Sequence, residues 1–233
     1  MRNFETCNIR NISLLGHRGS GKTTLTEALL YISKFSNKMG SVEEGTTVSD
    51  FDKEETRRLF SINTSIVPVE YGDCKYNFLD TPGYFDFSGE VYSAVRVSGS
   101  AVIVMDATSG VEVGTEKAWR ILEEKKLPRI IFINKMDKGY INYEKLLREM
   151  KEKFGKKIAP FCVPIGDKEE FTGFVNIVEL IGRIFNGVEC VDGPIPEDLD
   201  ISEVRNLLLE AVAETDEALM DKYFNGEEFT LEE

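Results

Sequence analysis

The sequence predicts an α/β protein in which a mostly parallel sheet carries helices on both faces. Short apolar runs alternate with stretches of helical periodicity up to residue 165, a pattern typical of parallel sheets with helical crossovers. The runs at 101–105 and 129–133 are apolar enough to be buried central strands. The other elements expected in this part are strands at 12–15 and 161–165 and helices at 22–32, 114–126 and 143–154.

A long connection follows the first of these helices. Residues 33–60 are polar and irregular and predict a long mobile loop. A strand at 61–70, a turn at Gly72-Asp73 and a returning strand at 75–79 come next. Together they predict a β-hairpin.

The pattern changes after residue 165, where short strand-like segments precede two amphipathic helices. These helices are expected at 201–213 and 216–224. We therefore predict a core domain at 1–160 and a small, acidic α+β insertion subdomain at 161–233.

Composition limits the class of protein. The 233 residues carry a formal net charge of -13, with 42% hydrophobic and 30% charged residues, which excludes a wholly disordered or membrane-embedded chain. The sequence has neither a signal peptide nor an apolar run of ~20 residues, so we expect a cytoplasmic protein that does not enter a membrane.

Of 41 acidic residues, 15 fall in 189–233 beside two basic ones, which argues against nucleic-acid binding by that segment. The cysteines are dispersed and His17 is the only histidine, so no zinc site is expected.

The first chemical motif lies between the first strand and the first helix. Residues 16–23 read Gly-His-Arg-Gly-Ser-Gly-Lys-Thr, which fits the phosphate-binding pattern G-x-x-x-x-G-K-[ST]. Backbone N–H groups of such a loop surround phosphate oxygens, and the helix N-terminus adds a favourable dipole. Lys22 would reach the β- and γ-phosphates, and the Thr23 hydroxyl would bind Mg²⁺. The nucleotide-binding residues predicted here are Gly16, His17, Arg18, Gly19, Ser20, Gly21, Lys22, Thr23 and Thr24.

A second motif, Asp80-Thr81-Pro82-Gly83, ends the returning strand of the hairpin. An acidic residue at such a strand end can hold Mg²⁺, commonly through water. Gly83 would let its N–H approach a γ-phosphate closely, because it has no side chain. Alone, the pattern also fits a simple turn. After a phosphate-binding loop, it predicts that Asp80 and Gly83 contact metal and phosphate.

The third motif, Asn134-Lys135-Met136-Asp137, follows the second buried strand. The Asp137 carboxylate can accept hydrogen bonds from N1–H and N2–H₂ of guanine, whereas adenine offers no such donor pair. An unpaired buried acceptor costs ~1–3 kcal/mol, and more when charged, so Asp137 predicts selection of GTP over ATP. Asn134 would brace the surrounding loops, and the Lys135 stem would cover the face of the base.

Taken in this order, the three motifs resemble the G domain of GTPases. The segments 16–29, 80–87, 110–137 and 163–166 resemble elongation factor G and its close relatives among translational GTPases, and 164–225 resembles the insertion within their G domain. The resemblance implies a P-loop NTPase G domain at 1–160 and its insertion beyond. It also implies GTP/GDP and Mg²⁺ as ligands, and GTP hydrolysis to GDP and phosphate stimulated by the ribosome. The ribosome is then the partner of the full-length protein; we expect a monomer, with no sequence-specific nucleic-acid binding by this part.

Three departures from the family pattern indicate a diverged paralogue. The family reads Asp-Thr-Pro-Gly-His, with a histidine that positions the attacking water, but Tyr84 stands there in this chain. A phenol is a poor base near neutrality, although its hydroxyl can still orient water. The family's Arg-Gly-Ile-Thr is Arg-Leu-Phe-Ser here, which leaves the Ser61 hydroxyl as the predicted third Mg²⁺ contact beside Thr23 and Asp80. Gly19 replaces a common aspartate. The predicted catalytic residues are Lys22, Gly83 and Tyr84.

The fifth G-domain motif, which touches the base, is expected after the insertion, and no candidate follows Leu219. We therefore expect a fragment that stops before this motif. Three functions stay open: a ribosome-timed GTPase whose switch loops are 45–64 and 80–97, a GTP-binding switch or scaffold with negligible hydrolysis, and a ribosomal protection factor. Tyr84 favours the second, and only further domains could distinguish the third.

Overall fold

The computed structural model describes residues 3–139, 141–166 and 171–233. They form two compact units, Met1–Asn134 and Lys135–Glu233. The predicted domain boundary after residue 160 stays a prediction.

The first unit is built on a five-stranded sheet with the order β2-β3-β1-β4-β5. The β1–β3, β1–β4 and β4–β5 pairs are parallel, and only the hairpin pair β2–β3 is antiparallel, which confirms the mostly parallel sheet. The strands are β1 (Ile9–Leu15), β2 (Ser65–Tyr71), β3 (Cys74–Asp80), β4 (Ser100–Asp106) and β5 (Arg129–Asn134).

Helices cover this sheet. Leu14 and Leu15 are both buried, and successive strand residues point to opposite faces, so both faces of β1 are covered. On one face, Leu15 packs with Val95 and Leu122. The helices of this unit are α1 (Lys22–Ile32), α2 (Lys53–Arg58), α3 (Ser88–Val97) and α4 (Val113–Glu124).

Parallel pairing gathers the functional segments at one edge. The strands β1, β3, β4 and β5 run in the same direction, so the segments after Leu15, Asp80, Asp106 and Asn134 leave the sheet on the same side. Ligands of open α/β sheets bind at this carboxyl edge. All three sequence motifs begin there.

The second unit contains a four-stranded antiparallel sheet, β6-β7-β8-β9, with a core of Val163, Val175 and Ile177. Residues 161–165 were expected to continue the α/β alternation. They instead form the first strand of this antiparallel sheet, because their hydrogen-bonding partner is the following strand. The elements are α5 (Tyr143–Phe154), β6 (Cys162–Ile165), β7 (Gly173–Asn176), β8 (Ile181–Phe185), β9 (Cys190–Gly193), α6 (Ser202–Ala213) and α7 (Glu217–Phe224).

The connection at 33–60 differs from the expected irregular loop. It contains the helix α2, whose N-terminus has a capping box between Asp52 and Glu55, and it includes the buried carboxyl groups of Asp50 and Glu55. Side chains rather than strand pairing therefore fix the backbone at the start of α2. Within the described residues, no helix is both long and apolar enough to cross a bilayer.

Candidate functional site

The loop between β1 and α1 has a backbone that requires glycine. Gly19 and Gly21 have φ angles of 74° and 96°, and that of Gly16 is 146°. A Cβ atom on Gly16 would lie 2.2 Å from the carbonyl oxygen of Val104, and one on Gly21 would lie 2.2 Å from Asn134 Nδ2. A side chain at position 16 would clash with the backbone of β4, and one at position 21 would displace the Asn134 amide. The positive φ angles also favour glycine at all three positions.

Lys22 begins α1 and is folded back over this loop. Its Nζ donates hydrogen bonds to the carbonyl oxygens of Gly16 and His17, at 3.1 and 3.0 Å, and the residue is 5% exposed. Burial lowers the pKa of Lys22 to about 8, although the carboxylates of Asp80 and Glu112 oppose this shift. A phosphate in the loop would favour the charged ammonium.

Asp80, the last residue of β3, has a buried carboxyl group. Among the described residues, none hydrogen-bonds either of its oxygens, and it is 1% exposed. Burial raises the pKa of Asp80 to about 6; the Lys22 ammonium and the Thr23 hydroxyl, which is nearby but not in hydrogen-bonding geometry, act in the opposite direction. Buried polar groups left unsatisfied are costly, so this carboxylate is suited to a cation or its bound water.

Two hydroxyl groups and a second carboxylate lie close to Asp80. Thr23 Oγ1 is 3.1 Å from Ser61 Oγ, and Ser61 donates a 2.7 Å hydrogen bond to Asp50 Oδ1. Burial raises the pKa of Asp50, and the hydrogen bond from Ser61 opposes this. Asp50 was not predicted as a site residue, since nothing in its polar loop sequence distinguishes it from its neighbours.

These oxygen groups fit Mg²⁺. Thr23 and Ser61 offer hydroxyl oxygens, Asp50 and Asp80 offer carboxylates, and hard cations prefer oxygen ligands. In the part of the chain that the structure describes, no group of three His, Cys, Asp or Glu residues could hold a metal by itself. A cation here would therefore need further oxygen ligands, such as phosphate and water.

A buried glutamate on α1 fixes the start of the 33–60 connection. Glu27 is 1% exposed, and its two carboxylate oxygens accept backbone hydrogen bonds from Gly40, at 3.1 Å, and Val48, at 2.7 Å. Glu27 lies one helical turn after Thr23, so it links the helix of the phosphate-binding loop to the segment that carries Asp50.

Glu55 fixes the end of the same connection. This residue of α2 has no exposed surface. Its Oε1 accepts hydrogen bonds of 2.9 Å from the N–H groups of Ile62 and Asn63, and its Oε2 accepts one of 3.0 Å from Asp52. The backbone next to Ser61 is therefore held by a buried carboxylate, a role that the sequence analysis missed.

The segment after Asp80 approaches the phosphate-binding loop closely. A Cβ atom on Gly83 would lie 2.7 Å from Arg18 Cα and 2.8 Å from Lys22 Nζ. Thr81 donates a hydrogen bond of 2.6 Å to the carbonyl oxygen of Leu14, which ties this segment to β1. Only a glycine at position 83 allows so short a separation.

Tyr84 contacts both neighbouring loops. Its hydroxyl accepts a 2.8 Å hydrogen bond from Arg18 Nη1. Its ring lies against Phe60, with centroids 4.5 Å apart. The residue at the position of the family histidine thus connects the phosphate-binding loop with the residue before Ser61.

The remaining predicted residues take varied positions. Asn134 Nδ2 donates a 2.9 Å hydrogen bond to the carbonyl oxygen of Ser20, so it joins the end of β5 to the phosphate-binding loop. His17 Nδ1 accepts from Gly114 N–H at 3.3 Å, and Thr24 is exposed in the first turn of α1. Lys135 and Asp137 belong to the second compact unit, and their contacts with a base stay predictions.

Comparisons with known proteins agree with this geometry. A model of the family described as "Elongation factor Tu GTP binding domain" matches residues 7–227. A crystal structure of a protein from Thermus thermophilus matches with a TM-score of 0.89 and 37% identity, over 95% of this chain and 34% of that one. The chain thus spans about a third of that protein. Since the family match covers nearly the whole sequence, the chain belongs to the elongation factor Tu GTP-binding domain family, as a translational GTPase G domain of the elongation factor G type.

Proposed function

We propose that this chain binds GTP with Mg²⁺ and hydrolyses it to GDP and phosphate, as the G domain of an elongation factor G-like protein that acts on the ribosome. The observation that carries the proposal is the unpartnered, buried carboxyl group of Asp80 beside Lys22 and Thr23. An unsatisfied buried carboxyl group is destabilising, so its presence favours a ligand that completes the site. The family membership of the chain supports a guanine nucleotide with Mg²⁺ as that ligand.

Phosphate binding is assigned to the loop and to the helix start. Lys22 would release its bonds to the loop carbonyls and reach the β- and γ-phosphates, whose negative charge would favour its ammonium form. The residues proposed to contact the nucleotide are Gly16, His17, Arg18, Gly19, Ser20, Gly21, Lys22, Thr23, Thr24, Asp80, Gly83, Asn134, Lys135 and Asp137.

Metal binding is assigned to Thr23 and Ser61 through their hydroxyls and to Asp80 through water. Asp50 joins this set, because it already holds the Ser61 hydroxyl at 2.7 Å. When bound, Mg²⁺ would neutralise negative charge on the phosphates during phosphoryl transfer. The contact between Thr23 and Ser61 couples this site to the segment that Glu27 and Glu55 hold.

Base recognition is assigned to the third motif. Asp137 would accept from N1–H and N2–H₂ of guanine, and Lys135 would cover the face of the base. Asn134 would brace the loops of the site, since its side chain already hydrogen-bonds the phosphate-binding loop.

Hydrolysis is assigned to Lys22, the Gly83 N–H and the Tyr84 hydroxyl. The close approach of Gly83 to Lys22 supports a shared position for the γ-phosphate, and Tyr84 follows it directly. Phosphoryl transfer depends mainly on positioning and charge stabilisation, so loss of the family histidine need not abolish turnover.

A second candidate function is a GTP-dependent switch or scaffold with negligible hydrolysis. The presence of Tyr84 at the position of the family histidine favours it, because a phenol is a poor base near neutrality. Ribosomal protection is a third candidate that rests on the family alone. In all three, the ribosome would be reached by the whole protein, as a monomer in the cytoplasm.

Single-turnover hydrolysis of GTP by the intact protein tests the proposal. We expect slow hydrolysis without ribosomes and much faster hydrolysis with them, in both cases only when Mg²⁺ is present. Tight GTP binding with no hydrolysis under either condition would favour the switch or scaffold.

A further inference from the structure

The phosphate-binding loop contains an arginine that is directed at the residue replacing the family histidine. Arg18 Nη1 lies 2.8 Å from the hydroxyl oxygen of Tyr84, and its Cζ lies 5.0 Å from the centre of the Tyr84 ring. The two residues are 66 positions apart in sequence. Their backbones meet because Gly83 lies against Arg18.

The direction of this hydrogen bond limits what Tyr84 can do. A guanidinium group has only donors, so the phenolic oxygen must be the acceptor. With a cationic donor on its oxygen, the phenol is a weaker acceptor for a proton from water. Its own O–H becomes a stronger donor, since adjacent hydrogen bonds polarise one another and those to charged groups are the strongest.

The position of the Tyr84 ring is also fixed. Phe60 packs against it at 4.5 Å between ring centres, and Arg18 holds the hydroxyl. Gly83 precedes Tyr84, and a Cβ atom on Gly83 would lie 2.8 Å from Lys22 Nζ. Tyr84 therefore directly follows the residue whose N–H would contact the γ-phosphate.

From these contacts we infer that Arg18 is a positioning residue, which holds the Tyr84 hydroxyl as a hydrogen-bond donor to the transferring phosphoryl group. This inference rests on the proposed GTP hydrolysis and refines the role of Tyr84. Donors placed where charge accumulates stabilise a transition state without accepting a proton. In the family a histidine positions the attacking water; here Arg18 and Tyr84 would instead stabilise the charge of the transition state.

The reaction balances without any proton transfer to or from Tyr84. The oxygen of water forms a bond to the γ-phosphorus while the bond from that phosphorus to the β–γ bridging oxygen breaks. The bridging oxygen keeps the bonding electron pair and remains on GDP. The protons of water leave with inorganic phosphate and solvent, and Tyr84 keeps its own proton throughout.

A double-mutant cycle on the intact protein tests this inference. The variants are Arg18→Ala, Tyr84→Phe, their combination, and Arg18→Lys as the conservative replacement, with Arg148→Ala, an exposed change in α5, as the matched control. For each, the single-turnover rate at saturating GTP with ribosomes is measured beside the dissociation constant for GTP, which also reports on folding.

We expect Arg18→Ala and Tyr84→Phe each to lower the rate by about tenfold, the equivalent of one hydrogen bond. The GTP dissociation constant should change by less than about threefold, because Arg18 would contact the nucleotide through its backbone N–H, which the substitution keeps. Arg18→Ala on the Tyr84→Phe background should change the rate by less than about twofold, because Arg18 acts through the hydroxyl. Arg18→Lys should recover most of the rate, and Arg148→Ala should match wild type.

Independent, multiplicative losses would overturn the inference, as would a lysine variant that behaves like alanine or an effect confined to GTP affinity. If wild type hydrolyses GTP and Arg18→Ala is unchanged, only this inference fails. If wild type binds GTP but does not hydrolyse it with ribosomes, the proposed hydrolysis fails and the inference with it.

Discussion

The buried carboxylate of Glu27 accepts a 2.7 Å hydrogen bond from the backbone N–H of Val48. One residue belongs to the helix that begins with Lys22, and the other lies just before Ser49 and Asp50. The position of Asp50 therefore depends on a side chain of the phosphate-binding helix. Nucleotide binding at the phosphate-binding loop should therefore affect the position of Asp50, and a metal bound near Asp50 should affect nucleotide affinity.

Replacing Glu27 tests that link. Glu27→Ala leaves the N–H groups of Gly40 and Val48 without their acceptor and should lower the free energy of unfolding by on the order of 1–3 kcal/mol. Because Asp50 would lose its fixed position, Mg²⁺ should also raise the affinity for GTP less than it does in wild type. Glu27→Gln should be intermediate, since an amide can accept only one of the two bonds. Chemical unfolding and nucleotide titration measure both effects, with the exposed Glu43→Ala as control; an Ala variant that matches this control would contradict the link.

Asp80 predicts an unusual pH dependence of the nucleotide-free protein. Its folded pKa of about 6 exceeds the ordinary 3.8, so between these values the folded state binds more protons than the unfolded chain, and this group's contribution to stability decreases as pH rises through that range. Asp80→Asn should remove most of this slope and raise stability near pH 7 by on the order of 1–3 kcal/mol. It should also abolish Mg²⁺-dependent nucleotide binding.

Urea unfolding in the presence of a chelator, at several pH values between about 4 and about 7, measures the effect. Asp86→Asn, an exposed change in the same segment, is the control. Asp50, whose pKa is also raised by burial, should leave a smaller slope of the same sign. An Asp80→Asn variant less stable than wild type would show that Asp80 is satisfied in the nucleotide-free protein.

The sequence predicted the parts of this fold whose signals are local. The helix α1 has the predicted bounds, because its apolar residues recur at helical spacing directly after the glycine loop. The helix α3 was missed, although Val91, Ala94 and Val95 have helical spacing, because a glycine and several valines give this segment a low helix propensity. Strand 161–165 was found, but its pairing partner follows it in sequence and was not identified.

Site residues could be predicted where a sequence motif specifies them, but not where their role depends on which side chains become buried. The motifs and their order in the chain predicted that Lys22, Asp80 and Gly83 share a site, and in the structure Gly83 and Asp80 both lie near Lys22; their ligand contacts stay predictions. The roles of Glu27 and Glu55 do not, because glutamate is ordinarily exposed and their acceptor roles depend on contacts with distant or irregular backbone. The contact between Arg18 and Tyr84 spans 66 residues, and no local pattern predicts it.

Substitution of Tyr84 tests its chemical role. Tyr84→His should speed ribosome-stimulated hydrolysis, because an imidazole can orient water and accept a proton near neutrality. Tyr84→Phe should slow hydrolysis by about tenfold, the equivalent of one hydrogen bond, since the hydroxyl is lost while the packing against Phe60 is kept. Single-turnover rates with ribosomes measure both. Equal rates for all three forms would remove Tyr84 from the chemistry.

Substitution of Asp137 tests base selection. Asp137→Asn should let xanthine nucleotides compete with GTP, because the amide can donate where the carboxylate accepted. Competition against a fluorescent GDP analogue gives the affinities for guanine and xanthine nucleotides. Asp192→Asn, an exposed change elsewhere in the second unit, is the matched control. A variant that keeps the wild-type preference for guanine would exclude Asp137 from base recognition.

The most direct test of the central claim, a Mg²⁺-dependent guanine nucleotide site, is displacement of a fluorescent GDP analogue from the intact protein by GTP or ATP. With Mg²⁺ present, we predict that GTP displaces the analogue at least about 100-fold more effectively than ATP, on the order of two missing hydrogen bonds to a charged group. Removal of Mg²⁺ should weaken GTP binding strongly. Equal displacement by ATP and GTP, or GTP binding indifferent to Mg²⁺, would contradict the account.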